Sequence, residues 1–172
     1  MTPPLEPPDT FCLQAAQGWL KLGNPVEAEA ELDNIRAQFQ RHPAVLEVRW
    51  EVYAAGRRWD ACAEIGQELV DLQPGEPLGW INRSYALRRA PGGGLPAAYD
   101  SLRPAAERVK DASLITFNLA CYACQLGRIE EGRQWLAQSF ALAKRHGRLR
   151  QQKQLALAEP DLEPLWKEIA SL

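Results

Sequence analysis

Residues 118–136 read N-L-A-C-Y-A-C-Q-L-G-R-I-E-E-G-R-Q-W-L, and this stretch decides the fold. An apolar segment rich in helix formers runs to Leu126, a turn follows at Gly127, and a second segment opens with Ile129. Gly132 places a small residue early in that second segment, where two helices can cross closely. The stretch therefore predicts two antiparallel helices joined by a short turn.

The same pattern occurs four times along the chain. Small residues early in the second segment recur at steps of 34, 36 and 34 residues, at Ala28, Cys62, Ala98 and Gly132. Two more sets keep these steps: Leu32, Gly66, Leu102 and Leu136, then Ile35, Leu69, Ala105 and Ser139. Turn glycines accompany each copy, at Gly23, Gly56, Gly92 to Gly94, and Gly127. The step of 36 is two residues longer than the others, and we assign these two residues to the loop 90–94.

These residues resemble the tetratricopeptide repeat (TPR), two antiparallel helices in 34 residues. Together with A-E-P-D-L-E-P-L-W at 158–166, A-C-Y-A-C-Q-L-G also resembles a bacterial TPR subgroup with a short end-of-group cap. The resemblance implies an all-α fold, a right-handed α-solenoid of about four helix pairs with capping helices at the C-terminus. The boundaries it implies are a flexible Pro-rich arm 1–8, repeats 9–42, 43–76, 77–111 and 112–143, and a capping segment 144–172.

Two local expectations accompany this assignment. In the capping segment, Asp161 is predicted to be a helix N-cap, with Pro164 in the first turn. In the second repeat, bulky Trp50 stands where a small residue is expected, and we expect Gly66 in the facing helix to make room for it.

The amino-acid composition supports an all-helical fold and disfavours some classes of binding partner. Alanine (25) and leucine (23) dominate, whereas valine, isoleucine and threonine together number 15 of 172 residues, which disfavours a β-sandwich or barrel. Twenty basic and 22 acidic side chains give a net charge of −2, which disfavours nucleic acid and anionic membranes as partners. The amino terminus lacks the features of a secretory signal, so we expect a cytoplasmic protein with reduced cysteines.

We found no convincing catalytic or metal-binding motif in the sequence. Cys121 and Cys124 form the one CxxC, but it lies inside a predicted helix, and His42 and His146 are not in metal spacing. Packing is the favoured explanation for these thiols, since cysteine is a small, mostly buried hydrophobe. Gly92 to Gly94 lack the lysine and hydroxyl residue of a phosphate-binding loop. We therefore expect a protein that is not an enzyme and needs no cofactor.

A ligand is expected on the first helix of each repeat, because these helices line the concave side of such a solenoid. The predicted binding residues there are Gln14, Gln17, Ile81, Asn82, Tyr85, Arg88, Arg89, Phe117 and Asn118. Ile81, Tyr85 and Phe117 would supply apolar anchors. Asn82 and Asn118 hold equivalent places and could bond a peptide backbone, an amide being both donor and acceptor. Cys121 is expected on the same open face.

The predicted function is a protein-interaction scaffold that binds a peptide or helix of a partner, itself a monomer or weak homodimer. A secretion or assembly chaperone of the same fold and an oligomerisation module remain alternatives. The basic run 144–153, with Arg148 and Arg150, could dock an acidic partner, although cations at a helix end and on a solvated linker are the ordinary explanation.

Overall fold

A computed structural model describes residues 3–171, which are all-helical and contain no β-strand. Each helix packs mainly on its neighbours along the chain. The α-helices are α1 (Asp9–Lys21), α2 (Pro25–Asp33), α3 (Pro43–Ala55), α4 (Trp59–Leu72), α5 (Pro77–Leu87), α6 (Leu95–Leu102), α7 (Ala105–Arg108), α8 (Ser113–Gln125), α9 (Ile129–Arg145), α10 (Leu149–Ala158) and α11 (Trp166–Ser171). Two 3₁₀ segments lie at Ala37–Phe39 and Pro160–Leu165.

Tight turns within the helix pairs share one backbone geometry. After α1, α8 and α9 the chain turns on a glycine with positive φ, at Gly23, Gly127 and Gly147. After α3 the predicted Gly56 lies in the turn, but the residue with positive φ is Arg57, at 55°. In each turn the backbone amide of the following residue donates a hydrogen bond to the carbonyl five residues earlier in the helix. An example is the bond from Arg128 N–H to the Ala123 carbonyl, at 2.9 Å.

Small residues mark the crossings inside the helix pairs. Ala28, Cys62, Ala98 and Gly132 are each the fourth residue of their helix, and all four are buried. A Cβ added to Gly132 would stand 2.6 Å from the Sγ atom of Cys124 on α8. Glycine at this position therefore leaves the space of the crossing to the cysteine sulfur.

Two glycines bring α4 and α5 close together. A Cβ on Gly66 of α4 would lie 2.7 Å from the backbone N and Cα of Arg83 on α5. A Cβ on Gly79 of α5 would lie 2.8 Å from the Val70 nitrogen on α4. The expectation about Trp50 is corrected here, because Gly66 makes room for the next helix rather than for that indole.

The second helix of the third pair is interrupted. Pro104 follows α6 and precedes the four-residue α7. Proline lacks the amide hydrogen that a continuing helix needs. Ala105 therefore belongs to a separate turn of helix, although it is fully buried in the core formed by α5, α6 and α8.

The C-terminal segment packs onto the last pair. Leu162, Leu165 and Ile169 join Phe117, Leu136 and Phe140 in one buried cluster. The predicted N-cap is wrong: Glu159, not Asp161, accepts from a backbone amide at the start of the 3₁₀ segment, at 3.3 Å from Asp161 N. The side chain of Asp161 is instead drawn toward α5 and α8.

The first helix is fixed by an ion pair between a buried carboxylate and an exposed arginine. Asp9, at the start of α1, is buried and accepts from the backbone N–H of Arg36 at 2.9 Å and from its Nε at 2.7 Å. These hydrogen bonds hold the pKa of the Asp9 carboxyl below its usual value.

The predicted flexible arm, residues 1–8, contains one residue that packs on the core. Leu5 is half-buried against the buried cluster that contains Ala16, Ala28 and Leu32. Residues 1 and 2 lie outside the described part of the chain.

No helix within residues 3–171 is both long and apolar enough to cross a bilayer.

Replacing Gly66 with alanine is expected to destabilise the fold. The added methyl collides with the Arg83 backbone, which cannot rotate away, so the free energy of unfolding falls by about 1 to 3 kcal/mol. Gly18→Ala in α1 is the matched control, because nothing lies within 4 Å of its added Cβ. That change should raise stability by about 0.5 to 1 kcal/mol through helix propensity. Urea denaturation measures both, and equal effects would contradict the close crossing.

Candidate protein-binding face

The predicted binding residues differ in exposure. Gln14 and Gln17 on α1 are exposed, as are Tyr85 and Arg89 on α5. The half-buried members are Ile81, Asn82, Arg88 and Asn118. Phe117 is buried. The accessible part of the predicted face therefore lies on α1 and α5 more than on α8.

The expectation that Phe117 and Cys121 are exposed on α8 is wrong. Phe117 retains 5% of its surface, and both residues belong to the cluster that contains Leu162 and Leu165. The C-terminal 3₁₀ segment covers this side of α8, so neither side chain is available as an anchor. A short acidic and apolar segment of the chain, 159–165, thus occupies the place assigned to a ligand.

Arg88 and Gln125 help to hold that segment. Gln125 on α8 donates a hydrogen bond to Asp161, and the Nη1 atom of Arg88 lies 3.8 Å from the Asp161 carboxylate. The Arg88 guanidinium also stands 5.6 Å from the centre of the Tyr122 ring. Arg88 therefore already contacts other residues of the chain. Its neighbour Arg89 contacts the rings of Tyr85 and Trp59 instead.

Four side chains form an aromatic and cationic group, here called the Tyr85 cluster: Trp50, Trp59, Tyr85 and Arg89. The Tyr85 ring meets Trp50 and Trp59 edge to face, each at 5.9 Å between ring centres. Arg89 stacks on Tyr85 at 3.4 Å from the ring centre and donates to its carbonyl oxygen at 3.1 Å. Tyr85 still exposes 40% of its surface. The cluster thus offers a rigid ring and a guanidinium to a ligand.

A shallow pocket continues the cluster toward the α3–α4 turn. Arg57, Trp59 and Arg89 line it together with Asp60 and Pro91. Arg58, also at the pocket, is held by two hydrogen bonds to Glu29, at 3.0 and 2.7 Å. Arg57 takes the left-handed backbone conformation that the equivalent turns give to glycine. The pocket is therefore lined by cations, one of which is kept at a conformational cost.

The two predicted asparagines are not alike. The Nδ2 of Asn118 donates to the Leu114 carbonyl of its own helix at 2.8 Å. Asn82 is half-buried on α5 near Tyr85 in the sequence. Their proposed bonds to a peptide backbone stay a prediction.

Glu47 on α3 lies in an unusual environment for a carboxylate. Burial and the nearby charge of Glu51 both raise the pKa of its carboxyl. It lines a pocket with Leu78 and Gly79 at the start of α5. Spacing places Glu47 on this side of α3, but its burial depends on how α5 packs, which periodicity does not show.

The cysteines of the CxxC are packing residues in this structure. Cys121 and Cys124 are buried in α8, and burial is the main reason that the pKa of each thiol is raised. Burial also raises the pKa of the Cys62 thiol to about 11. Reactive cysteines show the opposite shift, because the thiolate is the nucleophile and the metal ligand. Among residues 3–171, no three histidine, cysteine or acidic side chains are grouped as a metal site would need.

The basic run is partly paired within the chain. Arg148 lies 2.9 Å from the Asp111 carboxylate, and His146 lies 3.4 Å from the same oxygen. These contacts join the α9–α10 turn to the loop before α8. Arg150 remains exposed on α10.

We expect Cys62, Cys121 and Cys124 to react slowly with a disulfide reagent in the native protein at pH 8. Their raised pKa values keep the thiols protonated, and burial blocks access. Absorbance should report at least a hundred-fold faster reaction in denaturant. Cys12→Ser identifies the contribution of the half-buried fourth cysteine. Rapid release of two equivalents by the native chain would contradict the packing role.

We expect Arg57→Gly to stabilise the chain by up to about 1 kcal/mol, since glycine adopts positive φ without steric cost. The reverse change at an equivalent turn, Gly127→Ala, should destabilise it, although nothing lies within 4 Å of the added Cβ. Chemical denaturation measures both. A loss of stability in Arg57→Gly would show that the arginine side chain stabilises the fold by more than its positive φ destabilises it.

Neither a family model nor a curated protein significantly matches the chain.

Proposed function

We propose that the chain is a non-catalytic interaction scaffold of TPR type, whose open face binds a segment of another protein. The face is built by the first helices of the pairs, above all α5, where Trp50 of α3 packs against Tyr85. The observation that carries the proposal is the Tyr85 cluster, which keeps an aromatic ring and a guanidinium rigid and exposed. Aromatic and arginine side chains are the residues that most often carry the binding energy at protein interfaces.

Helix spacing and crossings support the TPR part of the proposal. The first helices of the pairs are α1, α3, α5 and α8, and they begin at residues 9, 43, 77 and 113. Successive starts are therefore separated by 34, 34 and 36 residues. A small buried residue stands fourth in each second helix, at Ala28, Cys62, Ala98 and Gly132. Regular stacking of such pairs favours a right-handed solenoid with a concave side.

The C-terminal segment indicates the chemistry that this face accepts. Leu162 and Leu165 pack against α8, while Asp161 is directed to Arg88 and Gln125. The segment that covers α8 is thus acidic, apolar and not α-helical along residues 160–165. We propose that the partner presents a similar short acidic and apolar segment to α5 and to the cations beside Tyr85.

The cations beside Tyr85 fit that ligand. Arg89 and Arg57 line one pocket with Trp59, and only Asp60 supplies a carboxylate among its lining residues. A ligand carboxylate would accept hydrogen bonds there, and an apolar side chain would lie on Tyr85 and half-buried Ile81. Gln14 and Gln17 on α1, with Asn82 and Asn118, could position its backbone.

Binding should depend on Tyr85 and Arg89. The partner would first be captured by the wild-type chain and its bound segment mapped by cross-linking. Tyr85→Ala and Arg89→Glu, titrated with that segment by calorimetry, are each expected to weaken binding at least ten-fold, since they remove the exposed ring and reverse the charge. Tryptophan emission should also change on binding, because Trp50 and Trp59 contact Tyr85.

Matched controls lie on α10. Arg150→Glu reverses an exposed arginine, and Leu155→Ala removes an apolar side chain that is 50% exposed, against 40% for Tyr85, both outside the proposed face. Neither is expected to change affinity. Unchanged affinity in Tyr85→Ala and Arg89→Glu, or a loss in the α10 variants alone, would contradict the assignment of this face.

A further inference from the structure

The first helix carries an exposed apolar stripe. Phe11 and Leu22 retain 62% and 76% of their surface, among the most exposed large apolar side chains of the described residues. Ala15 and Gly18 lie between them at helical spacing, so all four share one side of α1 and its C-terminal end. No atom lies within 4 Å of a Cβ built on Gly18, so this side of the helix is open.

The equivalent side of every later first helix is covered. In α3, 34 residues further on, Val45 and Val52 are buried in one cluster with Ala28 and Leu32 of α2. In α5, Gly79 is buried and its α-carbon lies against α4.

The fourth pair repeats this arrangement. Ile115 and Tyr122 of α8 are buried in the cluster that contains Ala98 and Leu102 of α6. In each case the second helix of the preceding pair covers these positions. The α1 stripe is therefore the stacking surface of the repeat, left without a helix over it among residues 3–171.

We infer that a second copy of the chain covers this stripe, with the two α1 helices packed antiparallel about a two-fold axis. The order of residue sizes favours this occupant. Phe11 and Ala15 are four residues apart, as are Gly18 and Leu22, so the stripe has the same pattern in both directions. An antiparallel pair places Phe11 of one copy on Leu22 of the other and Ala15 opposite Gly18.

This arrangement meets the requirement of a two-fold interface, in which one surface patch is complementary to itself. Small residues at the centre allow the two helix axes to approach closely, and the bulky residues at the ends fill the space on either side. Pairing removes the exposed apolar surface of Phe11 and Leu22 from water in both copies, which favours association.

The interface is small, which sets the expected strength. A single helix pair falls at the low end of specific interfaces, and association also costs translational and rotational freedom. We therefore expect a reversible dimer with a dissociation constant in the micromolar range. The dimer does not use the Tyr85 cluster.

Sedimentation equilibrium of the full chain, from about 5 to 500 μM, tests the inference. The wild type is expected to follow a monomer–dimer equilibrium. Gly18→Arg and Phe11→Gln should each weaken association at least ten-fold, since one blocks the close approach and the other removes apolar area. Circular dichroism melts check that each variant is folded, and the open space around a Cβ at Gly18 allows its substitution.

Val26→Gln is the matched control. Val26 is 74% exposed, but it lies in the first turn of α2 and lines a pocket with Val52 and Arg58 of the next pair. Its substitution should leave the dimer intact. A wild type that stays monomeric at the highest concentration, a mass that rises beyond the dimer, or an equal loss in Val26→Gln would each overturn the inference.

Cross-linking tests the register. In a Cys12→Ser background, a mixture of Ala15→Cys and Gly18→Cys chains should form the mixed disulfide faster than either chain forms its own. The antiparallel pair brings position 15 of one copy to position 18 of the other. Equal rates for mixed and identical pairs would overturn the proposed two-fold arrangement.

Discussion

Close approach of helix backbones is the constraint on which the structure depends. At the α4–α5 crossing, Gly66 and Gly79 face the opposing helix, and a methyl at either position would collide with backbone atoms. Inside the pairs, the equivalent positions hold small, buried residues, at Ala28, Cys62, Ala98 and Gly132. Because the helices are closely packed at these crossings, even one added methyl group would strain the structure. The side-chain size at these positions therefore determines how each helix lies on the next.

This constraint explains which parts of the fold could be predicted from the sequence. Side-chain size is visible in the sequence, so the small residues and their 34-residue spacing indicated the helix pairs. The role of Gly66 was assigned to the wrong neighbour, because periodicity identifies a close crossing but not which helix comes close. The break at Pro104 was visible in the sequence, yet its buried neighbour Ala105 kept the repeat pattern and concealed it.

The candidate site was less predictable, because its exposure depends on distant segments. Phe117 has the spacing of a groove residue, but residues 160–165 fold back over α8 and bury it. Asp161 was expected to cap a helix and instead lies beside Arg88 and Gln125. Tyr85 and Arg89 were placed on the open side, whereas their contacts with Trp59 follow from how α4 begins beside the end of α5.

The two ends of the helix stack differ in a way that bears on both proposals. At the C-terminal end, α10, the 3₁₀ segment and α11 cover the last pair and also cover the open side of α8. At the first pair, the described residues leave the α1 stripe exposed, with Leu5 packed on a neighbouring part of the same core. A stack of identical units joined head to tail would expose complementary surfaces at its two ends and could add further copies at either end. Here one end is closed by the chain itself, so an association through the other end stops at two copies instead of growing into a fibre.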